Sequence, residues 1–234
     1  MSNASPKPAA PVIAIDGPAG AGKSTVARAL AQRLGYFLLD TGAIYRAVAL
    51  RASRAGVPFS DGPRLGEIAR TLPLRFDEAG AVWLDAEDVS VAIRTPEMSQ
   101  GASTVSAHPE VRAGLLDLQR RLAEKGGCVV EGRDIGTVVL PWAPVKIFLT
   151  ASPEVRARRR FEELTERGAV VDYDETLREL KERDHRDSTR ATAPLKQADD
   201  AVAVDTSELP QEEVVARLEA IARQKLGTVI SLDA

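Results

Sequence analysis

Cysteine is nearly absent from this chain: Cys128 is the single one, so no internal disulfide and no cysteine-built zinc site can form. The expected role of Cys128 is that of a small buried strand residue. Histidine is almost as scarce. His108 and His185 stand alone in sequence without partners that would suggest a metal site or base catalysis, and surface or helix-capping roles are expected for both. An excess of positive charge is also missing: 31 Lys and Arg face 34 Asp and Glu, a net charge of −3. That balance excludes a dominant electrostatic footprint for nucleic acid, which requires clustered basic residues to displace counterions. No apolar run approaches the roughly 18 residues that cross a bilayer, so no membrane partner is expected and the cytoplasm is the expected location. Residues 1–11 lack a basic start followed by an apolar stretch; rich in Pro, Ala and Ser, they read as a flexible leader.

What is present is enough for one substantial domain. With 234 residues, 44% hydrophobic and 28% charged, the chain can bury a core and supports one catalytic unit, expected over 12–226 and followed by a tail at 227–234. Val12 to Ile15 reads as a buried strand feeding a helix from Lys23 to Leu34 that Gly35 stops. Tyr36 to Leu39 is a second strand, and Gly42 to Ala55 a second helix. Cys128 to Val130 and Val145 to Leu149 continue the strands. Ser152-Pro153-Glu154 opens a helix to about Arg167, closed by Gly168. Ala201 to Val204 is a fifth strand, and Pro210 to Leu226 a last helix with Val214, Leu218, Ile221 and Leu226 on one face. Strands alternating with helices predict an α/β fold whose five-stranded parallel sheet is covered on both faces.

The segment 57–105 breaks this rhythm. Leu74 to Phe76, Ala81 to Leu84 and Val89 to Ile93 are short strand-like runs separated by turn residues at Asp77 to Gly80 and Asp85 to Asp88, so an inserted lobe with antiparallel pairing is expected. A helix from Pro109 to Lys125 returns the chain to the main sheet.

Gly17-Pro18-Ala19-Gly20-Ala21-Gly22-Lys23-Ser24 matches G-x-x-x-x-G-K-[ST], set between a predicted strand and a predicted helix and followed by Thr25. In such a P-loop, glycines let backbone N–H groups turn toward phosphate, the helix N-terminus adds its dipole, the lysine bridges phosphate oxygens, and the serine can ligate Mg²⁺. Nucleotide binding follows, but the acceptor does not, because GTPases, motor ATPases and small-molecule kinases share the loop. No Asn-Lys-x-Asp motif is present to read guanine, which removes most support for a GTPase switch. A nucleotide-dependent binding module and a kinase for another small acceptor, such as UMP, AMP or a metabolite hydroxyl, are the remaining alternatives.

Asp40-Thr41-Gly42-Ala43-Ile44-Tyr45-Arg46 and Glu131-Gly132-Arg133-Asp134-Ile135-Gly136-Thr137 each begin directly after a predicted strand. Both therefore belong at the carboxyl edge of the sheet, beside the P-loop. The blocks IDGPAGAGKST, LLDTGAIYRAVA, EGRDIGTVV, APVKIFLTAS and KERDHRDSTR resemble those of bacterial cytidylate kinases, and the likeness extends over Val12 to Leu226. The resemblance implies a P-loop NTPase fold whose inserted lobe binds a monophosphate, with a mobile lid over 153–190. It implies ATP as phosphoryl donor, Mg²⁺, CMP and dCMP as acceptors, ADP release, a place in pyrimidine metabolism and a monomer.

Carried onto matching positions, Arg46 and Arg133 look like the clamp on the acceptor phosphate, where guanidinium forks suit phosphate oxygens. Thr41, Arg112, Asp134 and Arg190 look like readers of cytosine. Ser103, Arg183 and Asp187 look like sugar-side contacts, and Arg94 a phosphate-side residue. Glu131 sits where related kinases carry a carboxylate near the Mg²⁺ water shell, although many relatives have Asp there; Ser24 would share the ion. Asp16 is expected to support that shell or the fold. Arg156 and Arg160, four apart on one helix, share a face that would reach over the donor nucleotide, with Glu162, Glu163 and Glu166 as the balancing charges of an ordinary solvated face. Ten basic and eleven acidic residues between Glu154 and Arg190 argue against nucleic-acid binding there. Since the nucleophile would be an anionic phosphate oxygen, positioning and charge neutralisation by Lys23, Mg²⁺ and the arginines Arg46, Arg133, Arg156 and Arg160 are expected to carry catalysis, with Asp134 left to recognition.

Overall fold

A computed structural model describes residues 10–77, 80–166 and 168–232, with side chains described up to residue 227. Residues 1–9 of the expected leader, Glu78 and Ala79 of the expected turn, Arg167 and the last two residues lie outside it.

The first strand, β1 (Val12–Asp16), consists of residues that are all buried, because both of its faces are covered. Ile13 and Ile15 point to one side, where they pack with α1 (Lys23–Leu34) and α8 (Gln211–Leu232); Val12 and Ala14 point to the other, against Ala123 of α5 (Pro109–Ala123). On its flanks β1 pairs in parallel with β6 (Cys128–Gly132) and β7 (Val145–Thr150). Adding β2 (Phe37–Asp40) outside β6 and β8 (Val202–Asp205) outside β7 gives the order β2-β6-β1-β7-β8, parallel throughout. Cys128 pairs with Val12 and Phe37 in this ladder and is fully buried; burial pushes its thiol up to about 12. The expected five-stranded sheet is therefore present. Its last helix runs six residues past the expected end at Leu226.

The first helix keeps its expected bounds, because Gly22 and Gly35 at its two ends both take left-handed backbone. Asp40 caps α2 (Thr41–Arg54), its carboxylate accepting from the Ala43 N–H at 3.0 Å. In the inserted segment a three-stranded antiparallel sheet forms from β3 (Leu74–Phe76), β4 (Val82–Leu84) and β5 (Glu87–Asp88). Its third strand corrects the expectation of Val89 to Ile93. Asp85 adopts φ 55, so the chain reverses within Asp85-Ala86 and sets Glu87 opposite Leu84. Val89 and Ile93 are spent instead on the lobe core, Ile93 from within a 3-10 turn at Ala92–Arg94.

Two further helices of the lobe, α3 (Gly62–Arg70) and α4 (Pro96–Val105), are opened by Asp61 and Thr95 as caps with proline in the first turn. Helix α3 was not anticipated. Together with α2 and α5 these helices enclose a second core around Leu65, Ile93 and Leu115. After β7 come α6 (Pro153–Glu166) and α7 (Tyr173–Thr189), packed on each other.

Helices α3 and α5 meet at glycine. A Cβ added at Gly66 would lie 2.7 Å from Glu110 Cβ, and one at Gly114 would lie 3.0 Å from Ala69 Cβ. The contrast with Gly227 in α8, which has nothing within 4 Å, makes a test. Gly66→Ala should lower stability by about 1–3 kcal/mol through overpacking. Gly227→Ala should raise it by roughly 0.5–1 kcal/mol through helix propensity alone. Calorimetric melting of both variants measures this; equal shifts of the same sign would show that α3 and α5 do not meet at this separation.

Candidate active site

The carboxyl ends of β1, β2 and β6 open into a cleft of about 1010 Å³. The P-loop forms its floor. Gly17 takes φ 150, and a Cβ there would sit 2.0 Å from the Leu149 carbonyl oxygen, so only glycine lets the loop leave β1 against β7. At the other end Lys23 is buried and its Nζ donates to the Pro18 carbonyl at 2.7 Å. Burial, reinforced by Arg133 and Arg183, holds its ammonium well below the usual lysine range despite Glu131 and Asp16 nearby.

Next to the loop, the Ser24 hydroxyl donates to Glu131 Oε2 at 3.0 Å, while Glu131 Oε1 is buried without a partner. Thr41 Oγ1 donates to the Glu131 carbonyl at 2.7 Å, tying α2 to β6. Burial, together with the nearby Asp40 carboxylate, pushes Glu131 up to about 7. Asp16 is likewise pushed up by burial, to about 6, although the N–H groups of Gly136 and Ile135 oppose this.

On the acceptor side the cleft carries a chain of alternating charges. Arg46 donates to Asp40 at 2.7 Å, and its Nε is buried without a partner. Arg133 Nε donates to Asp187 Oδ2 at 3.1 Å, with Arg183 4.0 Å from the same oxygen. Arg190 lies between two carboxylates, 3.8 Å from Asp187 and 3.5 Å from Asp134. The second oxygen of Asp134 accepts a short hydrogen bond from Arg112, whose guanidinium also stands 5.5 Å from the Tyr45 ring centroid. Burial favours a neutral Asp187, but Arg133, Arg183 and Arg190 together hold it below the usual carboxylate range. Arg183 is also moved down, to about 10, by burial and then by Arg133.

Among the expected site residues, the P-loop from Ala19 to Thr25 and Thr41, Arg46, Arg94, Arg112, Glu131, Arg133, Asp134, Arg160, Arg183, Asp187 and Arg190 all line this one cleft. Gly17 and Pro18 do not line it. Ser103 does not face it: Ser103 is buried with an unpartnered hydroxyl, and Ser99, Ala102 and Ser106 of the same helix region form the wall.

Arg156 is set deeper than Arg160: it is buried behind the P-loop, donating to the Ala19 carbonyl at 3.1 Å and the Ala151 carbonyl at 2.8 Å and pairing with Asp184 at 2.7 Å. The first turn of α6 abuts the loop so closely that a Cβ on Gly20 would lie 3.0 Å from Arg156 Cβ, and the side chain is absorbed there. Arg160, one turn on, lines the cleft and pairs with Glu163 at 2.9 Å. The residue missed is Arg159, which lines the cleft while donating to the Thr206 carbonyl at 2.6 Å and the Thr206 hydroxyl at 3.0 Å. Its only sequence signal was membership of the run Arg158-Arg159-Arg160. His185 is exposed, and His108 occupies the N-cap position of α5 while its Nε2 bonds to the Phe59 carbonyl at 2.8 Å.

The cytidylate kinase family model matches residues 13–224. Cytidylate kinase of Mycobacterium leprae is 53% identical over 219 residues, covering 93% of this chain and 98% of that one. That of Pelotomaculum thermopropionicum is 55% identical over 221 residues, covering 93% and 97%. That of Caldanaerobacter subterraneus is 52% identical over 218 residues, again covering 93% and 97%.

The raised pKa of Glu131 makes a linkage prediction. Between about 4.5 and about 7 the folded protein holds a proton that the unfolded chain has lost, so this group's contribution to stability falls as pH rises through that window. Glu131→Gln cannot ionise. Its melting temperature minus that of the wild type should therefore become more positive from pH 5 to pH 8, by a free energy on the order of 3 kcal/mol. Melting curves at both pH values decide it, and a difference independent of pH would show that Glu131 is not a strained buried acid.

Proposed function

Because the chain belongs to the cytidylate kinase family, it phosphorylates CMP from ATP, and we propose that the cleft divides this work between a donor half built on Lys23 and an acceptor half built on Asp134. The observation that carries the division is the single cleft in which a P-loop lysine and a carboxylate flanked by Arg112 and Arg190 share one sheet edge. Release of ADP and use of dCMP belong to the same family activity. No described helix is long and apolar enough to cross a membrane.

In the donor half the P-loop N–H groups surround phosphate, and Lys23 leaves the Pro18 carbonyl to meet the transferring group, which offers it the anionic partner that its buried position lacks. Arg160 and Arg159 face the donor from α6, while Arg156 fixes the loop beneath it through the Ala19 carbonyl. Ser24 and Glu131 fit a Mg²⁺ ion: hydroxyl and carboxylate lie together, and Glu131 retains a buried oxygen without a partner. That ion would neutralise phosphate charge. Among the described residues no cluster of three acidic, histidine or cysteine ligands is found, which suits an ion that keeps several waters and takes few protein ligands.

In the acceptor half Arg46 and Arg133 are placed to clamp the monophosphate, each exchanging a carboxylate partner for phosphate oxygens. Asp134 accepts the amino hydrogens of cytosine. Uracil offers a carbonyl oxygen at that position, so the carboxylate would lose its hydrogen bond and meet lone-pair repulsion, and an unsatisfied buried polar group costs about 1–3 kcal/mol. Discrimination against UMP of at least roughly tenfold follows. The attacking phosphate oxygen is already an anion, so the half-sites supply position and charge rather than a strong base.

Lys23→Ala should lower turnover by about 10²-fold or more in a folded enzyme, because it removes a preorganised cation from developing phosphoryl charge. Wild-type turnover in that variant would remove Lys23 from the mechanism. Asp134→Ala should lower kcat/KM for CMP much more than for UMP, whereas Arg133→Ala should weaken both acceptors, since both carry the phosphate. Steady-state kinetics with the two acceptors separates base reading from phosphate clamping; an equal loss for both in Asp134→Ala would contradict the assignment.

A further inference from the structure

Asp16 is the last residue of β1 and the one directly before the P-loop. Its two oxygens accept from two successive backbone N–H groups, Oδ1 from Ile135 at 2.7 Å and Oδ2 from Gly136 at 2.7 Å. Those N–H groups open a tight π-helical turn, Ile135–Val139, which follows directly on Arg133 and Asp134. A turn of this kind leaves its first amides without partners inside the helix, and here a side chain from another strand supplies them. The turn is otherwise closed on itself: the Asp134 carbonyl accepts from Val138 at 2.9 Å and Val139 at 3.1 Å.

Both ends of this link are held. Gly17, next to Asp16, is packed against the Leu149 carbonyl so closely that no Cβ fits. Behind Gly136, a Cβ would lie 3.1 Å from Lys146 Cδ and 3.4 Å from Asp16 Oδ2, so the missing side chain lets the amide approach the carboxylate against the lysine stem. The carboxylate is 4% exposed and does not line the cleft.

We propose that Asp16 is a positioning residue that fixes the distance between the donor phosphate loop and the acceptor-reading turn, so that its two hydrogen bonds set the alignment of the phosphoryl group with its acceptor. This rests on the reading that Arg133 and Asp134 hold the acceptor. Each half-site keeps its own contacts without Asp16: Lys23 and the loop amides on one side, Arg112, Arg190 and Asp187 on the other. What changes is the relation of one to the other, and a misplacement of about 1 Å can cost about 10²-fold in rate.

Asp16→Asn keeps the shape and one acceptor but turns an N–H donor toward one of the two amides, and it removes a buried charge, so the variant should fold. Asp16→Ala removes both bonds. The measurements are melting temperature, calorimetric dissociation constants for CMP alone and for a non-hydrolysable ATP analogue alone, and kcat at saturation. The expected result for Asp16→Asn is a kcat lowered by about 10- to 100-fold, with each dissociation constant within about threefold of wild type; Asp16→Ala should lose at least as much. A folded Asp16→Asn with wild-type kcat overturns the proposal and leaves Asp16 a structural residue. Weakening of one ligand alone by more than tenfold at unchanged kcat also overturns it, because Asp16 would then belong to a single half-site. Failure of the wild-type protein to phosphorylate CMP would instead strike at the acceptor reading, as would an equal loss for CMP and UMP in Asp134→Ala.

Discussion

Everything at the sheet edge is governed by the cost of burying ionisable groups. Asp16, Lys23, Arg112, Glu131, Asp134, Arg156 and Asp187 are each less than a tenth exposed. A buried charge without a partner costs several kcal/mol, so most of these take partners from a distant part of the chain. The solutions are what hold the elements in place. Arg112 brings α5 to the turn after β6 by pairing with Asp134; Arg133 draws α7 to the same turn through Asp187; Arg156 joins α7 to the P-loop through Asp184. The lobe, the sheet edge and α7 are thus assembled by charge pairing over a cleft that their hydrophobic cores leave open.

Pairing is incomplete where phosphate chemistry is expected. Lys23 is held below the usual lysine range and Glu131 above the usual carboxylate range, and Glu131 Oε1 and Arg46 Nε are buried without partners. The charged forms of Lys23 and Glu131 are the ones that the protein alone stabilises poorly. A ligand carrying phosphate oxygens, with the divalent cation proposed above, would supply the missing partners and relieve the cost of these buried groups. Such a site trades some stability for differential attraction to a highly charged ligand.

How much of this was legible in the sequence depended on whether a residue's partner was local. The P-loop and α1 were read to the residue because glycines at fixed spacing dictate backbone conformation with no tertiary help. The central strands β1, β6 and β7 were found because strands covered on both faces are continuous apolar runs, and the partly exposed edge strands β2 and β8 because short apolar runs alternate with helices. The short lobe strand was misplaced: Val89 and Ile93 looked like strand residues because they are apolar, yet burial in a helical core uses the same residue types. Helix α3 escaped although Asp61 and Pro63 formed a start signal, because its apolar face, Leu65 and Ala69, is short. For Arg156, four-residue spacing shows that it shares a side of a helix with Arg160, and says nothing of what that side meets. That the side meets the back of the phosphate loop is a tertiary fact. The same holds for Asp16: its position before the loop was visible, but its bonds to Ile135 and Gly136 span 119 and 120 residues.

Helix α7 shows why the two halves of the cleft do not behave independently. Asp184 and Asp187 lie three residues apart on it, one paired with Arg156 beneath the P-loop and the other with Arg133 beside the acceptor turn. Arg183, the residue before Asp184, stands 4.0 Å from Asp187 and is depressed by burial and then by the neighbouring Arg133. A shift of α7 by even a fraction of a turn breaks both pairs at once, since hydrogen-bonded ion pairs tolerate only a few tenths of an ångström. If Arg133 holds the acceptor phosphate as proposed, that phosphate competes with Asp187 for the same guanidinium, whereas the pair between Asp184 and Arg156 lies on the P-loop side of the helix. A single element thus carries one carboxylate to the P-loop and another to the turn after β6, which couples the two sides of the cleft without requiring contact between two bound nucleotides.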